Sequence, residues 1–278
     1  MTEAQNITRK AKSNLAFALL SLPKENRDDV TIFYAFCRQI DDLADDPDLP
    51  EDEKIEGLKR WKQLFTDGLE GSSELESEVL RIKEKHNIPA ERFVNLIEGC
   101  EMDLVPQRFE TWEDLQGYTY RVASTVGLIC LPLFGSKDPE AEKYAVTLGH
   151  ALQLTNIMRD VGEDLDNGER IYLPIADLKR FNYSEADLEN RVYDERFREM
   201  MAFQAERANR LFAEARELVP SGDRRNLVAA EMMRSLYHVL LEKMMADDFK
   251  VFHQRYRLAK WRKVLTLVLH FLRSRISD

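Results

Sequence analysis

The 278-residue sequence contains few of the residues that interrupt helices, with only 11 glycines and 9 prolines. Ala, Leu, Glu, Lys and Arg are abundant instead, a composition that favours long helices over turn-rich β structure. Because 44% of the residues are hydrophobic, the chain is able to bury a large core. The composition therefore predicts an all-α protein.

Cysteine is scarce as well, and Cys37, Cys100 and Cys130 form no Cys-x-x-Cys pattern. An odd number of widely spaced cysteines among apolar residues is typical of reduced core thiols, which predicts a cytoplasmic protein. The N-terminal MTEAQNITRK lacks the apolar segment of a signal peptide. No apolar run approaches the roughly 20 residues that span a bilayer, so we expect any membrane contact to be peripheral.

The sequence also lacks an excess of positive charge, since its net charge is −10 at pH 7. Proteins that bind nucleic acids nonspecifically need a basic surface to displace the counterions around phosphates, so the charge argues against that class. An anionic small-molecule substrate would need help from bound cations. No segment of the sequence indicates an obligate protein partner.

Helical patterns follow one another along the chain, and no linker, low-complexity segment or repeat divides it. We expect one domain over residues 1–278 with about ten helices. Terminal signals include Asp48 as an N-cap ahead of Pro50, Thr111 as an N-cap and Gly135 as a helix stop. The predicted helices cover residues 11–21, 27–47, 51–65, 74–86, 90–104, 111–134, 139–167, 193–217 and 224–246, with a basic terminal helix from Lys260.

Two pairs of aspartates, Asp41/Asp45 and Asp160/Asp164, stand four residues apart, so each pair lies on one face of a helix. A single pair of this kind usually marks only a solvated face. Here the segments that precede both pairs are apolar on nearly every side, which predicts that most of each helix is buried. Buried carboxylates need partners, and magnesium, which prefers oxygen ligands, is the natural one.

The second pair extends a polar stripe, because Gln153 and Asn156 precede it on the same face. A buried amide is usually a satisfied core group, but packing alone explains a stripe of four polar residues less readily. Arg38 and Arg159 stand beside the two pairs, and a guanidinium binds phosphate oxygens in a bidentate manner. Carboxylates for a metal and arginines for phosphate together predict a diphosphate substrate.

Three segments resemble the squalene and phytoene synthase family, namely FYAFCRQIDDLAD, YTYRVASTVG and LGHALQLTNIMRDVGEDLDNGERIYLP. They occur in the order and spacing of that family, and the resemblance covers most of the chain from about Leu15. It implies an all-α isoprenoid synthase fold with helices around a central active-site cavity. In that fold, two aspartate-rich helices hold the magnesium ions that bind the diphosphates of two prenyl substrates.

The resemblance also implies individual roles. Magnesium would be bound by Asp41, Asp45, Asn156, Asp160 and Asp164. Catalysis would involve Tyr118, Asp41 and Arg38. The substrate would be contacted by Tyr34, Arg38, Tyr118, Val122, Ala123, Gly127, Gln153, Asn156, Arg159 and Tyr172.

The residues alone leave several of these roles open. Tyr34 is equally consistent with plain core packing, and Gly127 fits a close helix contact better than a ligand contact. Spacing does not separate Tyr118 from Tyr120, and only the family pattern favours Tyr118. Asp103 matches a recurrent family position to which we assign no role.

The implied reaction is the head-to-head condensation of two prenyl diphosphates. We expect two molecules of farnesyl diphosphate to give presqualene diphosphate, and then squalene or dehydrosqualene. Leu19 favours this fifteen-carbon substrate, because in the family its segment lies along the far end of the substrate tunnel. The alternative is a phytoene synthase acting on the twenty-carbon geranylgeranyl diphosphate.

Other functions are less consistent with these motifs. A head-to-tail elongase or terpene cyclase would carry a different second motif, and a non-catalytic binding factor would be expected to have lost aspartates. NADPH use stays open, because no Gly-x-Gly-x-x-Gly segment is present but family members that reduce their intermediate bind it without one. The basic segment from Lys260 fits a core-packing helix better than a membrane-surface contact.

Overall fold

The computed structural model describes residues 2–10, 22, 24–167 and 170–258. These residues form helices and no β-strand, apart from an isolated parallel bridge between Arg108 and Ile171, so the predicted all-α fold is confirmed. The predicted helix over residues 11–21, Leu19 and the segment from Lys260 lie outside the described residues. The α-helices are α1 (Glu3–Lys10), α2 (Lys24–Asp45), α3 (Glu51–Thr66), α4 (Glu74–Lys85), α5 (Ala90–Met102), α6 (Trp112–Thr119), α7 (Thr125–Phe134), α8 (Ala141–Asp166), α9 (Ile175–Arg180), α10 (Glu185–Glu189), α11 (Glu195–Glu217) and α12 (Val228–Ala246).

The helix predicted over residues 111–134 begins and ends at the predicted residues. Thr111 Oγ1 accepts a hydrogen bond from Asp114 N at 3.2 Å, and the Asp114 carboxylate accepts one from Thr111 N at 2.9 Å. Gly135 ends α7 with a φ of 87°, a left-handed conformation that glycine adopts without strain. Between α6 and α7 the chain forms one π-helical turn over Tyr120–Ser124, which was not predicted.

One expectation about a helix end was wrong. Asp48 does not cap α3, because the helix begins at Glu51 with Pro50 at its N-cap position, and the backbone N of Asp48 donates instead to Asp46 Oδ1 at 2.9 Å. The acidic residues at the start of α3 favour this beginning, since negative charge stabilises a helix N-terminus. The short helices α9 and α10 were not predicted, because five or six residues are too few to show a helical period.

Buried hydrophobic residues form two clusters. One is built from α2 to α5 and α7, and at its centre aromatic rings meet edge to face or stacked, as in Phe36 against Trp61 at 4.9 Å and Phe65 against Phe93 at 4.5 Å between centroids. The other surrounds α8 and includes α11 and α12. The apolar residues of α2 thus belong to one cluster and those of α8 to the other.

The π-helical turn packs closely against α8. Gly149 of α8 lies so near Ser124 that a Cβ at residue 149 would overlap the Ser124 backbone. Ser124 Oγ also donates to Val146 O at 2.8 Å, and His150 Nδ1 lies 2.7 Å from Thr119 Oγ1. These contacts hold the π-helical turn at a fixed position beside the helix that carries the second aspartate pair.

The cysteines of the chain form no disulfide. Cys100 and Cys130 are buried and Cys37 is half-buried, as the sequence predicts. Burial raises the pKa of the Cys130 thiol to about 12, so this side chain stays protonated. Within the described ranges, every helix is too short or too polar to traverse a lipid bilayer.

Candidate active site

Arg170 connects the two aspartate-bearing helices. Its Nη1 donates to Asp45 Oδ1 of α2 at 2.8 Å, and its Nη2 donates to the carbonyl oxygen of Asp103, just after α5, at 2.9 Å. Its backbone N donates to the carbonyl oxygen of Asp164 in α8 at 3.1 Å. The structure therefore brings the ends of α2, α5 and α8 together around one arginine.

Asp41, the first aspartate of α2, is accessible to water yet surrounded by protein. Its side chain is 59% exposed, and Arg38 Nη1 lies 3.9 Å from its Oδ2. Partial burial, together with the negative charges of Asp45, Asp103 and Asp42, raises the pKa of the Asp41 carboxyl to about 7 in spite of Arg38. Asp41 is therefore an exposed carboxylate whose negative neighbours are only partly offset by Arg38.

On α8 the two aspartates have different surroundings. Asp160, only 15% exposed, pairs with Arg159, whose Nε donates to Asp160 Oδ1 at 2.8 Å, and with Arg255, whose Nε lies 3.2 Å from the same oxygen. Burial and the charge of Asp160 raise the pKa of the Asp164 carboxyl to about 8, although Arg170 opposes this shift. The negative charge of Asp164 is thus less well offset by neighbouring arginines than the charge of Asp160.

The amide stripe of α8 contains an oxygen that needs a partner. Asn156 Nδ2 donates to Gln153 Oε1 at 3.2 Å, whereas Asn156 Oδ1 is buried without a hydrogen bond. Leaving a buried polar atom unpaired costs about 1–3 kcal/mol, so a ligand at this oxygen would stabilise the protein. The stripe therefore offers an amide oxygen beside the carboxylates.

These oxygen donors fit magnesium. Carboxylate and amide oxygens are the ligands that it prefers, and it commonly keeps several waters while it is shared between one or two carboxylates and substrate phosphates. Among the described residues, no three His, Cys, Asp or Glu side chains converge closely enough to enclose an ion. The donor set therefore suits an ion that is held jointly by protein and diphosphate. The metal role of these residues stays a prediction.

Two tyrosines share one half-buried carboxylate. Tyr118 OH donates to Asp103 Oδ2 at 2.8 Å and Tyr172 OH donates to Asp103 Oδ1 at 2.7 Å, with the two rings stacked 5.1 Å apart. Burial raises the pKa of Asp103 to about 6, although both hydroxyls and Arg170 oppose it. Burial and the Asp103 charge raise the pKa of both tyrosines, so their hydroxyls stay protonated.

The structure distinguishes the two tyrosines that spacing could not separate. Tyr118 is buried and its hydroxyl is bonded to Asp103, whereas Tyr120 is half-buried at the start of the π-helical turn. The family pattern had favoured Tyr118. Its position beside Tyr172, which was also predicted for the site, groups both residues with Asp103.

The remaining predicted contact residues lie on three elements, namely the π-helical turn, α7 and α2. Val122 and Ala123 are half-buried in the π-helical turn, a local irregularity that is frequent at functional sites. Gly127 packs against α8, where a Cβ would lie 3.1 Å from the carbonyl oxygen of Ala145, and Tyr34 is buried in α2. The roles of these residues toward a substrate stay predictions.

Sequence reasoning missed Arg170 and Arg255 and assigned no role to Asp103. Arg170 follows the second aspartate pair within the RIYLP segment, but a lone arginine after a helix has no spacing that indicates its partners. Asp103 stands 15 residues before Tyr118, a separation that no helical period connects. The family position of Asp103 was the one available signal.

Comparison with known proteins identifies the family of this chain. The family model described as squalene/phytoene synthase matches residues 8–262. The chain is 35% identical to the 15-cis-phytoene synthase of Synechococcus elongatus, over 99% of this chain and 93% of that protein. It is 36% identical to the phytoene synthase of Arthrospira platensis, over 92% and 87% of the two chains.

Solved structures agree with this result. A dehydrosqualene synthase crystallised with a ligand is similar with a TM-score of 0.85 and 28% identity, over 98% of this chain and 95% of that one. Squalene synthase HpnC from Alicyclobacillus acidocaldarius gives a TM-score of 0.77 and 29% identity, over 88% and 93% of the two chains. The isoprenoid synthase fold that the sequence resemblance implies is thereby confirmed. The chain belongs to the squalene/phytoene synthase family, whose members join two prenyl diphosphates head to head.

Proposed function

We propose that this protein is a phytoene synthase, a prenyltransferase that joins two molecules of geranylgeranyl diphosphate head to head. The observation that carries the proposal is the identity of 35 and 36% to two relatives named phytoene synthase, over more than nine tenths of this chain. The expected preference for farnesyl diphosphate is not confirmed, and Leu19, on which it rests, lies outside the described residues. The relatives favour the twenty-carbon alternative.

A squalene-type enzyme is the second candidate, because the solved structures with 28 and 29% identity carry the names dehydrosqualene synthase and squalene synthase. Both candidates use the same condensation and differ in substrate length. Buried apolar length discriminates weakly, at about 0.8 kcal/mol per methylene, so substrate choice must be measured with both substrates present.

The aspartate helices would bind the diphosphates. Asp41, Asp45, Asn156, Asp160 and Asp164 are the residues that would hold magnesium, which when bound neutralises a diphosphate and makes it a better leaving group. Arg38 and Arg159 provide guanidinium groups beside these carboxylates for phosphate oxygens. This arrangement promotes cleavage of the allylic C–O bond to give a carbocation.

The tyrosine pair suits the next stage of the reaction. Because Tyr118 and Tyr172 donate their hydroxyl hydrogens to Asp103, their oxygens keep lone pairs and their rings keep π faces, both of which stabilise a nearby cation. Their raised pKa values exclude deprotonation near pH 7, so these tyrosines do not act as bases. Released diphosphate is able to accept the proton that is lost when the product forms.

The direct test incubates the purified protein with geranylgeranyl diphosphate and magnesium, and identifies the lipid product by mass spectrometry. We expect a forty-carbon hydrocarbon and the release of two diphosphates for each product molecule. A matched reaction with excess EDTA should give neither. Formation of a thirty-carbon product from farnesyl diphosphate, with none from geranylgeranyl diphosphate, would overturn the proposal in favour of the squalene-type candidate.

A further inference from the structure

Arg170 occupies a position between the predicted metal ligands of the two helices. Its side chain is only 18% exposed, and its guanidinium donates to Asp45 Oδ1 and to the carbonyl oxygen of Asp103 at the same time. An arginine that is mostly buried therefore already pairs with a carboxylate that is predicted to bind a metal ion.

The contact with Asp45 uses an oxygen that a metal ion would need. Asp45 is 58% exposed while Arg170 is mostly buried, and a carboxylate that is bonded to a guanidinium gives up that hydrogen bond when it binds a divalent cation through the same oxygen. Asp160, in contrast, pairs with Arg159 and Arg255. Competition between arginine and metal should thus be centred on Asp45.

The geometry requires an arginine rather than any positive charge. Nη1 and Nη2 of Arg170 reach two acceptors on different helices, and the backbone N of Arg170 is held by the carbonyl oxygen of Asp164. The fork of a guanidinium makes both side-chain bonds from one planar group, whereas the ammonium of lysine is a single point charge. A lysine at residue 170 would keep the charge but lose the bridge.

From these contacts we infer that Arg170 is a positioning residue that couples metal binding to diphosphate binding. Without a diphosphate, Arg170 occupies Asp45 and weakens the binding of a divalent cation. With a diphosphate bound, the guanidinium pairs with the anion and Asp45 becomes free for the cation. The inference rests on the metal and diphosphate roles in the proposed function, and it is independent of the length of the prenyl chain.

Coupling of this kind is measured as a thermodynamic cycle, since each ligand must change the affinity of the other by the same factor. The probes are Mn²⁺, as a spectroscopic substitute for Mg²⁺, and inorganic pyrophosphate. Free Mn²⁺ is followed by electron paramagnetic resonance with and without pyrophosphate, after correction for the complex that the two form without protein. The proteins compared are the wild type, Arg170→Gln, Arg170→Lys and Arg191→Gln.

Arg191→Gln is the matched control. Arg191 pairs with Asp166 and donates to the carbonyl oxygen of Gly162, and it contacts no predicted metal ligand. The substitution therefore removes one positive charge near α8, as Arg170→Gln does, without changing a contact of the site. We expect Arg170→Gln to bind Mn²⁺ alone about tenfold more tightly, equal to about 1.4 kcal/mol, and to lose about tenfold of the affinity gain caused by pyrophosphate. Arg191→Gln should match the wild type, and Arg170→Lys should also lose the coupling.

The possible results separate the inference from the proposed function. If the wild type binds Mn²⁺ but Arg170→Gln keeps the wild-type coupling, the inference is overturned and the metal site stands. If Arg170→Lys keeps the wild-type coupling while Arg170→Gln and Arg191→Gln change the Mn²⁺ affinity by the same factor, net charge is the cause and the inference is again overturned. If the wild type binds no Mn²⁺, the metal assignment fails and the inference fails with it. Circular dichroism checks folding, and Arg170→Lys carries the test if Arg170→Gln is unfolded.

Discussion

The four aspartates of the two pairs differ in how their charge is offset. Asp160 is paired with two arginines and Asp45 with Arg170, as the short contacts of both side chains show. Asp41 and Asp164 instead have pKa values raised to about 7 and about 8 by burial and by neighbouring carboxylates. A cation added to the site would therefore act most strongly on Asp41 and Asp164, one on each helix.

Replacement of Asp164 tests this difference at a single residue. We expect Asp164→Asn to lower the turnover of the prenyl diphosphate substrate by at least about a hundredfold, because the variant lacks a predicted ligand for the cation that would bind the leaving diphosphate. At pH 8 the free energy of unfolding of this variant should be about 1 kcal/mol higher than that of the wild type, because the substitution removes a carboxylate that its neighbours repel. A diphosphate-release assay and urea denaturation measure the two effects.

Asp166→Asn is the control for this prediction, since Asp166 lies on the same helix and pairs with Arg191 away from the site. Its turnover should stay within about threefold of the wild type, a difference of under 1 kcal/mol in the barrier. Similar losses in both variants would show that charge at the end of α8, and not the position of Asp164, supports the activity.

His150 makes the stability of the protein depend on pH. Burial lowers the pKa of its imidazole to about 4, while the unfolded chain has a value near 6.5. Both states are neutral above pH 6.5, and between pH 6.5 and 4 the unfolded state binds a proton that the folded state does not, so stability falls as pH falls. We expect His150 to reduce the free energy of unfolding by about 2 kcal/mol between pH 7.5 and pH 5.

The measurement compares the wild type with His150→Gln, which cannot titrate, by urea denaturation at several pH values. Groups such as Asp41 and Asp164 titrate in both proteins, so the difference between the two curves isolates His150. The stability of the variant relative to the wild type should rise as pH falls from 7.5 to 5. A difference that does not vary with pH would mean that His150 is protonated equally in the folded and unfolded states.

At the scale of whole elements, the close approach of α8 to the π-helical turn fixes the position of Val122 and Ala123 beside the second aspartate helix. Gly149 permits this approach, because a Cβ would overlap the backbone of Ser124, which is less able to move than a flexible side chain. We expect Gly149→Ala to lower the free energy of unfolding by about 1–3 kcal/mol through overpacking. Denaturation followed by circular dichroism measures this effect.

Gly117→Ala provides the opposite case within α6, where the nearest atom to an added Cβ is Arg121 Nη1 at 3.9 Å. Alanine is the better helix former, so this substitution should raise the free energy of unfolding by about 0.5–1 kcal/mol. Equal effects of the two substitutions would contradict the packing argument, because helix propensity alone predicts a gain at both positions.

The elements that sequence predicted well are those with local signals. Thr111 begins a helical segment and Gly135 ends it through hydrogen bonds and dihedral angles within a few residues. The aspartate pairs that begin at Asp41 and Asp160 follow from the helical period. The bond from Arg170 to Asp45 joins residues that are 125 positions apart, which only the folded arrangement of helices determines. Local spacing thus predicts which carboxylates share a helix face, whereas the arginines that pair with them are identified only by the structure.

At the scale of the whole molecule, the site lies where two hydrophobic clusters meet. The apolar residues of α2 pack into one cluster and those of α8 into the other, while Arg170 joins the polar ends of both helices. Each aspartate pair is therefore carried by a helix that packs into its own hydrophobic cluster. Such an arrangement suits the positioning of two substrates against each other, which is the main task in joining two prenyl chains.

The measurement that tests the central claim most directly is a competition between the two candidate substrates. Farnesyl and geranylgeranyl diphosphate are supplied to the wild-type protein at equal concentration with magnesium, and the condensed products are counted by chain length with mass spectrometry. A phytoene synthase should give mostly forty-carbon product, with a minor share of shorter chains because each methylene contributes little to discrimination. A majority of thirty-carbon product would contradict the claim and assign the protein to the squalene type.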